Sequence, residues 1–221
     1  MDLDLDFEYS IEEKNKKILK TCVNILIYRN LLNKDKYKEY IKELLNNYSD
    51  DETYIKLNND KYFRIKILYN IKVSKITDYY KSFIFENMND IKFIILNKIS
   101  FTQRLYNEVY TDINKNKKDN INIELFRDYE LIFNIFKLNY SPKYILLNNE
   151  EYKTFINDYK INESNKYREL SKIYNTDIVS RYLNAKIGNI IKIITPNEIS
   201  GYSINYRITV PGKFFEWFTF I

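Results

Sequence analysis

The side chains that could carry chemistry in this chain are carboxylates, lysines and arginines, because it holds no histidine and one cysteine, Cys22. Losing histidine removes the commonest general base and, with a single thiol, nearly excludes a zinc site. One cysteine forms no internal disulfide, which agrees with a reducing compartment. A metal-dependent nuclease needs an acidic pair and a Glu-x-Lys on adjacent strands to hold Mg²⁺. The nearest patterns are Glu12-Glu13-Lys14, on a predicted helix, and Glu150-Glu151, heading another. The expectation is therefore no catalytic residue, no metal site and no cofactor.

A denser pattern lies further along: Arg181-Tyr182-Leu183, Gly188, Lys192-Ile193-Ile194, Glu198 and Tyr206-Arg207. It reads as a helix end, a glycine turn and a strand with one embedded lysine. A turn with a carboxylate and a returning strand with an arginine follow. Charges so placed on short strands face a partner, pair with one another, or sit solvated on the outer face of a sheet. Spacing alone leaves all three open.

The elements that must hold these residues follow from composition and periodicity. With 221 residues, 45% of them apolar and 29% charged, the chain has the balance of a globular protein of one large or two small domains. No apolar run is long enough to span a bilayer: 24–32 and 130–138 are short and broken by Asn, Arg or Lys. The acidic start, Met1 to Asp6, resembles neither a secretory signal nor a transit peptide. The net charge of +5 permits contact with nucleic acid without a dense basic face. Every glycine (Gly188, Gly201, Gly212) and every proline (Pro142, Pro196, Pro211) falls at or after position 142. Glycine and proline make tight turns that other residues reach only at a cost. This break predicts a boundary near Ser141-Pro142: a domain over 1–141, a second over 142–210, and an aromatic extension over 211–221.

In the first domain Ser10, with Glu13 three residues on, caps a helix whose Ile11, Ile18, Cys22, Ile25 and Leu26 recur at helical spacing. A second helix from about Asp35 puts Tyr37, Tyr40, Ile41, Leu44, Leu45 and Tyr48 on one packing face. Phe63, Ile65 and Ile67 alternate with Arg64 and Lys66 as in a half-buried strand. A helix through Ile76–Ile84, an apolar strand Ile91–Leu96, a helix over about Phe101–Ile113 and a polar loop Asn114–Asn120 follow. Strand and helix in alternation imply a small α/β layer. In the second domain, Pro142–Leu147 is extended, and Asn148 or Asn149 caps a helix burying Tyr152, Phe155, Ile156 and Tyr159. A short helix over about Thr176–Leu183, strand Asn189–Thr195, a turn from Pro196-Asn197 and strand Tyr202–Val210 complete it. The fold class is α+β, the second domain being a small sheet with helices on one side.

The run Asp177-Ile178-Val179-Ser180-Arg181-Tyr182-Leu183, Gly188 to Ile194, Glu198-Ile199-Ser200-Gly201 and Tyr206-Arg207 resembles a known family. It is similar to the C-terminal domain of the fifth-largest subunit shared by the eukaryotic nuclear RNA polymerases, which archaeal polymerases also possess. Pro142-Lys143, Leu147, Glu150-Glu151 and Asn162-Glu163-Ser164 are similar to upstream segments of that domain. Ile123-Glu124-Leu125-Phe126, Leu131 and Asn134-Ile135 resemble the segment before it. Asn97-Lys98-Ile99-Ser100 stands where larger eukaryotic members carry N-N-I-T before a Pro-Ser-Ala turn.

The resemblance implies a non-catalytic subunit of a multisubunit DNA-directed RNA polymerase. Its first domain would be a jaw-like α/β domain beside downstream duplex, its second an assembly domain anchored on the largest subunit, near neighbouring subunits. Arg181, Lys192, Glu198, Tyr206 and Arg207 are then the docking candidates. Lys98, Ser100, Thr102, Gln103 and Arg104 are candidates for weak phosphate contact without sequence preference. Ile178 replaces the family's proline after the aspartate, Tyr144 its histidine, and Phe101 the jaw-loop proline. The tail with Phe214, Phe215, Trp217, Phe218 and Phe220 has no family counterpart. These departures, with a composition typical of AT-rich genomes, point to a large-DNA-virus member. It would act in the virion and the infected cytoplasm, a cellular one in the nucleus. The rivals are a metal-dependent nuclease and a free-standing DNA-binding regulator. The modest charge and the lack of a basic recognition helix stand against the second.

Overall fold

The computed structural model describes residues 9–49, 52–58, 61–69, 90–97, 122–138, 140–197 and 199–212. They divide into two compact units between Phe133 and Asn134. The predicted helices over 76–84 and 101–113, the loop over 114–120 and the tail beyond Gly212 lie outside the described residues.

The N-terminal unit opens with α1 (Ile11–Tyr28), a 3₁₀ turn (Lys34–Lys36) and α2 (Tyr37–Asn46). Ser10 and Glu13 form the expected capping box, each side chain bonded to the other's main chain. Ile18, Cys22, Ile25 and Leu26 are fully buried, whereas Ile11, in the first turn, is 66% exposed. Tyr37 and Tyr40 of α2 and Tyr48, two residues past its end, are half-buried, and Tyr37 and Tyr48 serve α1. The Tyr48 hydroxyl accepts from Asn15 Nδ2 at 2.7 Å, and Tyr37 from Asn24 Nδ2 at 3.4 Å. Those phenols supply partners for two amides that α1 buries.

Four strands follow in sheet order β1 (Thr53–Lys56), β2 (Tyr62–Tyr69), β3 (Ile91–Asn97) and β4 (Asn122–Arg127). β1 runs antiparallel to β2, and β2, β3 and β4 run parallel. The β2 alternation is as the sequence reading has it, with Phe63 and Ile65 buried. From Ile91 to Leu96, β3 is buried throughout, the pattern of an interior parallel strand. Phe63, Phe93 and Phe126 form an aromatic row across β2, β3 and β4, with centroids 4.8 Å apart at each step. Arg64 ties the strand ends together, bonding Glu52 at 2.5 Å and Asp90 at 2.6 Å. β4 leads into the short helix α3 (Asp128–Ile132).

In the C-terminal unit a 3₁₀ turn (Ile135–Lys137) precedes β5 (Lys143–Leu146), α4 (Asn149–Asp158), α5 (Lys166–Glu169), β6 (Ser171–Tyr174), α6 (Ile178–Tyr182), β7 (Ile190–Asn197) and β8 (Gly201–Val210). The sheet order is β5-β7-β8-β6, with β6 parallel to β8 and the other pairs antiparallel. Helical elements cover both faces, not one. Phe155 of α4 packs on Ile190, Ile208 and Val210. On the opposite face Phe136 stacks on Tyr144 and meets Tyr182 of α6 edge-on, at 5.3 and 5.4 Å. Sequence reading misassigns this because α6 has only five residues, too few to show a periodic face. β6 escapes it for the same reason. β7 also runs through Pro196 to Asn197, whose Oδ1 accepts from the Ile199 and Ser200 amides to build the turn.

Gly188 enters β7 at φ +90°, and a Cβ there would stand 3.1 Å from the Tyr167 hydroxyl. Gly188→Ala is therefore expected to cost about 1–3 kcal/mol, read as a lower urea midpoint at unchanged m-value.

Candidate functional site

Three of the four carboxylates in the two acidic patterns, Glu12, Glu13 and Glu151, have structural partners. Glu13 closes the α1 capping box, and Glu12 bonds Lys16 at 2.5 Å. Its hydrogen bonds to Ser10 hold the Glu13 carboxyl below its ordinary range. Glu151 closes the same box with Asn148, the cap of α4. Cys22 is fully buried, and desolvation pushes its thiol far above the usual range, so no thiolate forms near neutral pH. Among the described residues no group of three or more Asp, Glu, Cys or His is gathered as a metal site. No described helix is long and apolar enough to cross a membrane.

The docking candidates fall on different surfaces of the C-terminal sheet. Lys192 pairs directly with Tyr206 across β7 and β8, so both project from the α4 face. Tyr206 is half-buried, its ring 4.3 Å from Phe155 and 5.6 Å from Tyr159. Burial, reinforced by Tyr159, raises its phenol above the ordinary range. Tyr206 is thus first a packing residue. Arg207, one position on, projects from the other face and is exposed. Arg181 is half-buried in the last turn of α6. Glu198, Lys98, Ser100, Thr102, Gln103 and Arg104 lie outside the described residues.

Arg207 borders a concavity of about 370 Å³ on that second face. Its floor includes Ile173, Val179 and Ile193, and its polar rim Tyr144, Ser171, Thr195 and Asn205. Burial raises the Tyr144 phenol; Asp177 adds to the shift and Arg207 opposes it. The Asp177 carboxylate is itself engaged, accepting the Val179 amide at 2.8 Å as the cap of α6. The Arg207 side chain makes no ion pair or hydrogen bond among the described residues.

Glu163, one of the motif residues upstream, belongs to a clamp. It accepts from the Tyr152 hydroxyl at 2.8 Å and from Lys166 Nζ at 2.9 Å, tying α4 to the start of α5. The bonds to Tyr152 and Glu163 raise Lys166 above its ordinary range. Sequence reasoning missed the groove because it joins residues from β5, β6, α6, β7 and β8. The signal available was Arg207, one residue out of phase with Tyr206.

Residues 133–209 match the family model of the RNA polymerase Rpb5, C-terminal domain. The chain is 37% identical over 90 residues to DNA-directed RNA polymerases I, II, and III subunit rpabc1 of Dictyostelium discoideum, which covers 41% of this chain and 44% of that protein. It is 27% identical over 161 residues to DNA-directed RNA polymerase subunit 5 of Acanthamoeba polyphaga mimivirus, covering 73% and 72% of the two chains. The chain thus spans less than half the length of the first relative. The family resemblance read from Pro142 to Val210 is borne out, and the viral alignment extends beyond the matched domain.

Proposed function

We propose, from the premise that residues 133–209 form an Rpb5-type C-terminal domain, that this chain is a non-catalytic subunit of a multisubunit DNA-directed RNA polymerase. The observation that carries the reading is a coincidence of boundaries. The family match begins at residue 133, and the compact C-terminal unit begins at Asn134. A segment that folds as a unit and matches a subunit's domain is suited to docking. Glu13 and Glu151, members of the two acidic patterns, serve as helix caps, which supports the subunit reading over the nuclease one.

In this reading the C-terminal unit anchors on the largest subunit through Arg181, Lys192, Glu198, Tyr206 and Arg207. The N-terminal unit forms part of the lower jaw. Lys98, Ser100, Thr102, Gln103 and Arg104 would touch phosphates of downstream duplex weakly, with an affinity that falls as salt rises. The mimivirus likeness favours a viral member acting in the virion and infected cytoplasm; a cellular member would act in the nucleus.

Tagging the chain in its native source and identifying what co-purifies tests the reading. Recovery of the polymerase subunits at constant stoichiometry is expected. Arg181→Glu and Lys192→Glu should each lower recovery of the largest subunit about tenfold, since a reversed charge at a desolvated contact is repelled as well as unpaired. Unchanged stoichiometry in both variants would remove these two residues from the docking surface.

A further inference from the structure

β8 is longer than the strand beside it. β6 pairs only with Arg207–Val210. From Gly201 to Tyr206, β8 has β7 on one side and, among the described residues, no strand on the other. The main-chain directions on this edge follow from alternation. Thr209 donates to the Asn189 carbonyl and accepts from the Gly188 amide, both at 2.8 Å, on the β7 side. The Val210 carbonyl accepts from the Asn175 amide at 2.9 Å on the β6 side. Successive residues of a strand turn their N–H and C=O to opposite edges. Ile204 and Tyr202 therefore direct theirs away from β7, along the edge that no described strand pairs.

Sheet edges invite another strand, and proteins usually block them with proline, charge or a bulge. The overhang of β7 beyond β5 carries Pro196, which has no N–H to offer. The stretch from Gly201 to Tyr206 holds neither proline nor charge. Its flanking side chains are apolar and exposed, Tyr202 at 61% and Ile204 at 41%. At its inner end stands Arg207, which shares its groove with the Asp177 carboxylate; that carboxylate is engaged by the Val179 amide, and no anion is bonded to Arg207 among the described residues.

We propose that an extended segment of a partner polypeptide adds as a strand along the outer edge of β8. Its side chains would alternate, apolar on the face of Ile204 and acidic where one reaches Arg207 in the groove. Main-chain bonds supply affinity in such an addition, and the alternate side chains supply selectivity. The inference rests on the proposed docking of this unit on a polymerase subunit.

The test is amide exchange with single-residue resolution on the full chain, free and within the affinity-purified assembly. On assembly the Ile204 amide should slow about a hundredfold or more. The Ser203 and Asn205 amides, already turned toward β7, serve as internal references. Arg207→Glu should lower recovery of the partner at least about tenfold with the melting curve of the free chain unchanged. Polymerase subunits recovered with the Ile204 amide no slower than in the free chain overturn the strand addition and leave the polymerase reading standing. Recovery of no polymerase subunit overturns both.

Discussion

Glu124→Ala is expected to destabilise the N-terminal unit by about 3–5 kcal/mol, because it removes the bidentate carboxylate from a buried guanidinium. Arg29, just past the end of α1, donates from both terminal nitrogens to Glu124 of β4, at 2.6 and 2.7 Å. Side-chain exposure is 6% for Arg29 and 16% for Glu124, so the pair is largely desolvated. The guanidinium also lies 5.3 Å from the Phe93 ring centroid, over the centre of the aromatic row. Urea unfolding should show the loss as a lower midpoint. Arg29→Met combined with Glu124→Ala should recover part of it, since no buried charge of the broken pair then remains. A single-variant loss below about 1 kcal/mol would mean that Arg29 reaches solvent, and the pair would count as a surface ion pair.

Tyr182→Ala is expected to cost the C-terminal unit a similar amount, about 3–5 kcal/mol. The ring is fully buried and edge-on to Phe136, which in turn stacks on Tyr144 of the sheet. Its removal opens a void beneath α6, beside the buried Val179 and Ser180 of the same short helix. Near-ultraviolet circular dichroism should report the loss of aromatic packing, and recovery of polymerase subunits should fall with it. Arg207→Glu should lower recovery without that spectral change. The pair of variants thereby separates a folding defect from a docking defect. A Tyr182→Ala variant with unaltered melting and recovery would refute the assigned role of the ring.

Much of the fold is written in local pattern. The Ser10–Glu13 box, the Asn148 cap and the Phe63-to-Ile67 alternation are short-range features whose physics is complete within a few residues. Gly188 is legible as a turn because other residues adopt its φ only with strain. Strand β6 and the two-sided covering of the C-terminal sheet are not legible. A four-residue strand and a five-residue helix take their conformation from the neighbours they pack on.

The candidate site divides in the same way. Sequence alone determined which residues form the pattern and which family they resemble, because Arg181, Gly188, Lys192, Tyr206 and Arg207 follow one another in order. It also determined that Tyr206 and Arg207, being adjacent on a strand, take opposite faces. Only the tertiary structure decided which face is covered. α4 lies on the Tyr206 side and makes that ring part of the core, while Arg207 borders a groove. It alone decided that β6 stops short of Gly201–Tyr206 and that, among the described residues, no strand pairs with that edge of β8. Strand alternation is a property of the chain, whereas burial and pairing depend on elements distant in sequence that pack against it.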